Sequence, residues 1–96
     1  MREPTEKEIH IMSRLLYLFD LTSKNYPDWD GDRVREYIDV GEWGLAADLL
    51  AFFYLPGKFE LTDTIFEIFA DLADRMRLLQ KDTYRSIKLL LAPRGG

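Results

Sequence analysis

Residues 62–78, TDTIFEIFADLADRMRL, constrain the fold more than any other stretch of the chain. Ile65, Ile68, Phe69, Leu72 and Met76 recur at i, i+3, i+4, i+7 and i+11. That spacing gathers them into one stripe only on an α-helix. In a strand the same residues would be split between two faces. Thr62 or Thr64 supplies the N-cap, and the helix is expected to reach about Leu78.

The same periodicity recurs elsewhere, and no segment alternates with period two. Thr5 and Glu8 form a capping box behind Pro4. The helix they open runs from Glu6 to about Thr22, with Met12, Leu15, Leu16, Leu18 and Phe19 as its stripe. Ile9, Ile11 and Leu21 widen that stripe, which suits a central position. Glu6, His10 and Arg14 follow at i, i+4 steps on the other side. After the loop TSKNYPDWDGD, a short helix from about Gly31 to Val40 turns Val34, Tyr37 and Ile38 inward. Gly41 ends it in a left-handed conformation. A helix from about Glu42 to Tyr54 is expected to bury Trp43, Ala46, Leu49, Leu50 and Phe53. Pro56–Lys58, PGK, is the sharpest break. A last short helix after Asp82 turns Tyr84, Ile87, Leu90 and Leu91 inward. The expected fold is all-α: a compact single-domain bundle of about four to five helices over 1–96, with 1–4 and 92–96 as frayed tails.

Composition agrees. The 96 residues suit one domain, and 47% hydrophobic with 31% charged residues indicates a globular chain. Without cysteine there are no disulfides or thiolate metal sites, and a cytoplasmic location is expected. MREPTEKEIH is too charged for a signal peptide, and no apolar run approaches the roughly 18 residues of a membrane span. The net charge of −4 is unevenly placed. Residues 1–74 hold seven Lys/Arg against sixteen Asp/Glu, and residues 75–96 hold six against one, leaving −9 and +5. An acidic body disfavours nucleic acid and suits a basic protein partner.

DWDGD, Asp28–Asp32, opens like an EF-hand loop, with Asp28, Asp30, Asp32, Glu36 and Asp39 at ligand positions. Arg33 occupies the position that needs glycine, and Arg35 adds a second cation. The aspartates fit a helix start better, and no metal or other cofactor is expected. His10 is the only histidine and is expected on the surface. No serine lies in a nucleophile elbow, and no HExxH or phosphate-binding glycine loop is present. An enzyme is not expected.

Two acidic rows stand out. Asp63, Glu67, Asp71 and Asp74 fall within about 80° on the fourth helix, opposite its apolar stripe. Asp32, Glu36 and Asp39 line up on the second. Like charges at this spacing cost about 0.2–0.5 kcal/mol per pair. Part of that is offset, because Asp71 can reach Arg75. The rows are either ordinary solvated faces or docking surfaces for a basic partner. FFYL, Phe52–Leu55, sweeps about 300° of a helix, more than one core covers. Some of it must be exposed, or covered by the PGKF turn, the last helix or another molecule.

YIDVGEWGLAADLL, Tyr37–Leu50, resembles the MafI family of bacterial immunity proteins, with VGEWGLA its most specific part. Glu60–Leu78 is similar to that family's following helix, and DTYRSIKLLL to its closing segment. The likeness covers about Val34 to Leu78. FFYLPGKF departs from it by being more apolar. Gly41, Glu42, Trp43 and Gly44 form a structural motif: a positive-φ turn, a carboxylate at a helix start, an aromatic pin, and room for the first or second helix to approach closely. The resemblance implies a cytoplasmic bacterial immunity protein that binds and neutralises a cognate toxin domain, a nuclease above all, by occluding its active site or substrate groove. The acidic rows Asp32, Glu36, Asp39 and Asp63, Glu67, Asp71, Asp74 are then the candidate partner faces. The alternative is a small helical protein–protein interaction module, or a homodimeric assembly module joined through FFYL, unrelated to toxins.

Overall fold

The computed structural model describes residues 3–55, 58–77 and 84–92. Five helices appear in order among them: α1 (Glu6–Asn25), α2 (Asp32–Asp39), α3 (Trp43–Phe53), α4 (Asp63–Met76) and α5 (Arg85–Leu91). They form one compact, single-domain all-α bundle with a Cα radius of gyration of 13.0 Å. Expectations placed on Pro56, Gly57, Leu78, Asp82 and the tail 93–96 lie outside the described residues.

The local signals act as the sequence implies. Thr5 Oγ1 accepts from the Glu8 N–H at 3.1 Å, and the Glu8 carboxylate accepts from the Thr5 N–H at 3.1 Å. Thr62, rather than Thr64, caps α4 by accepting from the Ile65 N–H. Gly41 has φ +80° and carries the chain from α2 to α3. Across that turn the Glu42 N–H donates to the Tyr37 carbonyl at 2.8 Å, and Trp43 Nε1 donates to the Ile38 carbonyl at 3.2 Å. Arg77 ends α4 in the left-handed region, φ 54°, where glycine would be easier. α1 runs one turn beyond Thr22, to Asn25.

α3 lies at the centre, packed against each of the other four helices. Its buried face is Ala46, Ala47, Leu50 and Ala51, closed by Tyr54. This corrects the expected face by a rotation of about 70°. Leu49, Trp43 and Phe53 are only half-buried, while Ala47 and Ala51 are fully covered. The reason is α5. It packs on the side of α3 that holds Gly44, Asp48 and Ala51, where small side chains let it approach. A Cβ on Gly44 would sit 2.5 Å from the Tyr84 hydroxyl oxygen. The close neighbour of Gly44 is therefore the start of α5, not α1 or α2 as the sequence led us to expect. Asp48, on the same side, accepts from the Ile87 N–H at 3.2 Å and caps the short α5 from a neighbouring helix.

Thr22 and Tyr54 form a buried polar link. Thr22 Oγ1 donates to the Leu18 carbonyl at 2.8 Å. The threonine has one proton, so at 2.6 Å it is the Tyr54 hydroxyl that donates to Thr22. Burial pushes the Tyr54 hydroxyl pKa up, although the Thr22 bond works against it.

Candidate functional site

Three rows of side chains converge on one surface. α2 brings Arg33 and Tyr37, α3 brings Leu45, Leu49 and Phe52, and α5 brings Ser86; helical spacing continues the outer rows to Val40, the C-cap of α2, and to Leu89. Each row follows helical spacing, so each faces one way. α2 and α5 lie on opposite flanks of α3. Asp48 points from α3 to α5, while Phe53 packs edge-on against Trp29, just ahead of α2. Between them is a shallow groove of about 360 Å³. Val40 is 66% exposed, Leu45 41%, Phe52 41% and Leu89 65%. Of the large apolar side chains left open among the described residues, only Ile9 and Tyr17 lie elsewhere, on α1.

FFYL divides across this boundary. Tyr54 is buried, Phe53 joins an aromatic cluster, and Phe52 faces outward. The cluster takes in Phe59, which stacks on Tyr26 at 3.8 Å between centroids and contacts Trp29, Phe53 and Tyr54. The Phe59 N–H donates to the Phe53 carbonyl, and the Tyr26 hydroxyl accepts from the Glu60 N–H. Lys58 lies over the Phe52 ring at 3.8 Å, a cation–π contact on a ring that also meets Phe53 edge-on and stays partly exposed.

The acidic rows occupy different settings. On α2, Asp32 and Glu36 each precede a groove residue, Arg33 or Tyr37, by one position, about 100° round the helix, and Asp39 precedes the exposed Val40. All three are exposed. Asp39 holds Arg35 at 3.0 Å. In DWDGD, the Asp30 carboxylate accepts from the Asp32 N–H at 3.1 Å, so this aspartate serves the helix start. Gly31 is needed there because a Cβ would meet both Phe19 and Trp29 at 2.8 Å.

On α4, Asp63, Glu67 and Asp74 are exposed but Asp71 is half-buried and turned toward α1. Both its oxygens accept from Arg75 Nε, at 3.0 and 3.1 Å. Arg14 stands 3.6 Å away and His10 Nε2 3.5 Å away. Burial alone would push the Asp71 carboxyl pKa up. Arg75 chiefly, with His10 and Arg14, outweighs it and holds the pKa below the usual carboxylate value. His10 is thus partly exposed, as expected, and also part of the α1–α4 contact. Beside this cluster Arg14, Tyr17, Thr64, Glu67, Ile68 and Asp71 line a second groove of about 490 Å³.

Sequence reasoning missed Asp48, whose partner is 39 residues away, and the outward turn of Leu49. The over-wide apolar sweep of FFYL was the one signal that pointed to this surface. Among the described residues, no three His, Cys, Asp or Glu side chains gather to hold a metal ion, and no helix is long and apolar enough to cross a membrane. The chain matches no family model, no curated protein and no solved structure.

Proposed function

We propose that this chain is a protein-interaction module that works by surface contact rather than by catalysis, with the α2–α3–α5 face as its docking surface. One observation carries the reading: the exposed Leu45 and Phe52, with the half-buried Leu49 between them, form an apolar row along the groove on the most central helix, and Val40 and Leu89 are exposed on the flanking elements. A helix apolar all round is normally covered on all sides. An apolar centre with charged residues at its edge, here Arg33, Glu36 and Lys58, has the anatomy of a protein interface. The test is Phe52→Asp in the full chain, scored for self-association and for capture of the product of the adjacent reading frame. Loss of either, with the helical fold retained, supports the reading. If neither changes, this is not the docking surface.

A second reading, which places the partner on a different face, is favoured by the acidic α4 row and by the resemblance of VGEWGLA to the MafI family. In it the module is a cytoplasmic immunity protein. Asp63, Glu67 and Asp74 meet the basic substrate groove of a cognate toxin domain, and the exposed Tyr17 ring anchors the contact. Asp71 contributes less charge, since its own chain's cations already surround it. Co-expression with the adjacent reading frame tests this directly. Wild type should rescue growth, and Glu67→Lys with Asp74→Lys should not. Rescue by the charge-reversed variant would rule out the α4 row.

A further inference from the structure

We infer that the α2–α3–α5 face takes a second copy of this chain, with the two α3 helices antiparallel across a twofold axis. The inference rests on reading that face as a protein-docking surface, and names its occupant.

The outward row supplies the first argument. Leu45, Leu49 and Phe52 are separated by four and then three residues, the spacing of a helix–helix seam. A second α3 presents the same row, so a twofold axis matches apolar side chains to apolar side chains without any further surface.

Charge sets the direction. α2 and α3 form an antiparallel hairpin, so the start of α2 lies beside the end of α3. Arg33 therefore lines the groove together with Phe52, and Lys58 Nζ sits over the Phe52 ring. That end of the seam is cationic. At the other end Glu42 is the exposed N-cap of α3, three residues before Leu45. Its side chain makes no capping hydrogen bond. Antiparallel pairing brings Lys58 and Arg33 of one copy to Glu42 of the other, twice. Parallel pairing would set Lys58 against Lys58 and Glu42 against Glu42. The helix dipoles also favour the antiparallel arrangement.

Area sets the strength. A standard interface takes about 800 Å² from each partner, roughly an eighth of this chain's 6564 Å² surface. α3 is only about 16 Å long, so the seam falls below that size. The expected dimer is reversible, with Kd on the order of 10 µM.

Sedimentation equilibrium of the full chain from about 5 to about 500 µM is the test. The mass should rise from monomer toward dimer, and Phe52→Asp should hold it at monomer with an unchanged helical spectrum. Lys58→Glu and Glu42→Lys should each weaken association about tenfold. The double variant should restore it, because each new glutamate then faces a new lysine. Association that the double variant does not restore overturns the antiparallel pairing. So does a chain that stays monomeric throughout. If that monomer loses partner capture with Phe52→Asp, the docking surface stands and its occupant is a different protein. If capture is unchanged, both readings fall.

Discussion

α3 and α4 sit in the same bundle and treat their outer faces in opposite ways. α4 has a clean division. Ile65, Ile68, Phe69, Leu72 and Ala73 are buried, and its outer side is charged. α3 buries small residues and Leu50, then leaves Leu45 and Phe52 exposed with the half-buried Leu49 between them. The charge on α4 is partly settled within the chain, since Arg75, Arg14 and His10 surround Asp71. Nothing among the described residues covers the α3 row to the same degree. An outer face whose charge is partly settled within the chain has less to gain from a partner than one left apolar. Comparing these helices therefore separates what holds the fold from what the fold presents.

The inner faces should be equivalent, and this carries the largest expected effect. Leu50 and Leu72 are both fully buried. Leu50→Ala and Leu72→Ala should each cost about 3 kcal/mol, within the usual 2–5 kcal/mol for such truncations. Urea unfolding followed by circular dichroism measures both. A Leu50→Ala cost below about 1 kcal/mol would mean that α3 is not central, and the comparison would fail.

That equivalence was only half legible in the sequence. The α4 face could be read directly, because its apolar residues are large and its remaining positions charged. In α3 nearly every position is apolar, so periodicity could not choose between Leu49 and Ala47. The choice was made by α5, which needs the space that Gly44, Ala47 and Ala51 leave. Its position depends on contacts about 40 residues apart, Tyr84 against Gly44 and Ile87 against Asp48. The caps at Thr5 and Thr62 and the turn at Gly41 were legible because their partners lie within a few residues. The acidic rows were visible too, but not that Asp71 would be claimed by α1, since that requires knowing which helices are neighbours.

The flank of α3 that receives α5 should give the next effect. Gly44→Ala places a Cβ against the Tyr84 ring and should cost about 1 kcal/mol net. Removing the ring should reverse the sign. In a Tyr84→Ala background, alanine at 44 should stabilise by up to about 1 kcal/mol through helix propensity alone. Thermal melts of the four variants in this cycle measure the coupling. No coupling would mean that α5 does not depend on this approach.

The outer face of α3 should scarcely matter to the monomer. At low concentration Phe52→Asp should change unfolding stability by no more than about 0.5 kcal/mol, even though the same change is expected to abolish the proposed docking. Some cost is expected, because the ring's contact with Lys58 is lost. A loss comparable to Leu50→Ala would place Phe52 in the core and remove the distinction between the two sides of the helix.

The finest comparison is between two carboxylates, one on each helix. Burial raises the Asp48 pKa above the usual carboxylate value, against hydrogen bonds from the Ile87 and Ser86 N–H groups that lower it. Burial also acts on Asp71, but Arg75, His10 and Arg14 prevail and lower its pKa. The signs of the linkage are therefore opposite. Folded Asp48 binds its proton more tightly than the unfolded chain does, so its contribution to stability grows as pH falls through its folded pKa. It is lost again as pH rises through that value. Folded Asp71 binds its proton less tightly, so its contribution is full above the unfolded carboxylate pKa, about 3.9. It is lost as pH falls from there through the folded value. Unfolding free energies of wild type, Asp48→Asn and Asp71→Asn between about pH 7 and about pH 2.5 measure this. Relative to Asp48→Asn, wild type should gain stability as the solution is acidified. Relative to Asp71→Asn it should lose stability, by no more than about 1 kcal/mol because the cluster is partly exposed. Parallel curves for the two variants would mean that both carboxylates feel the same surroundings. The two helices would then not differ in how their charges are held.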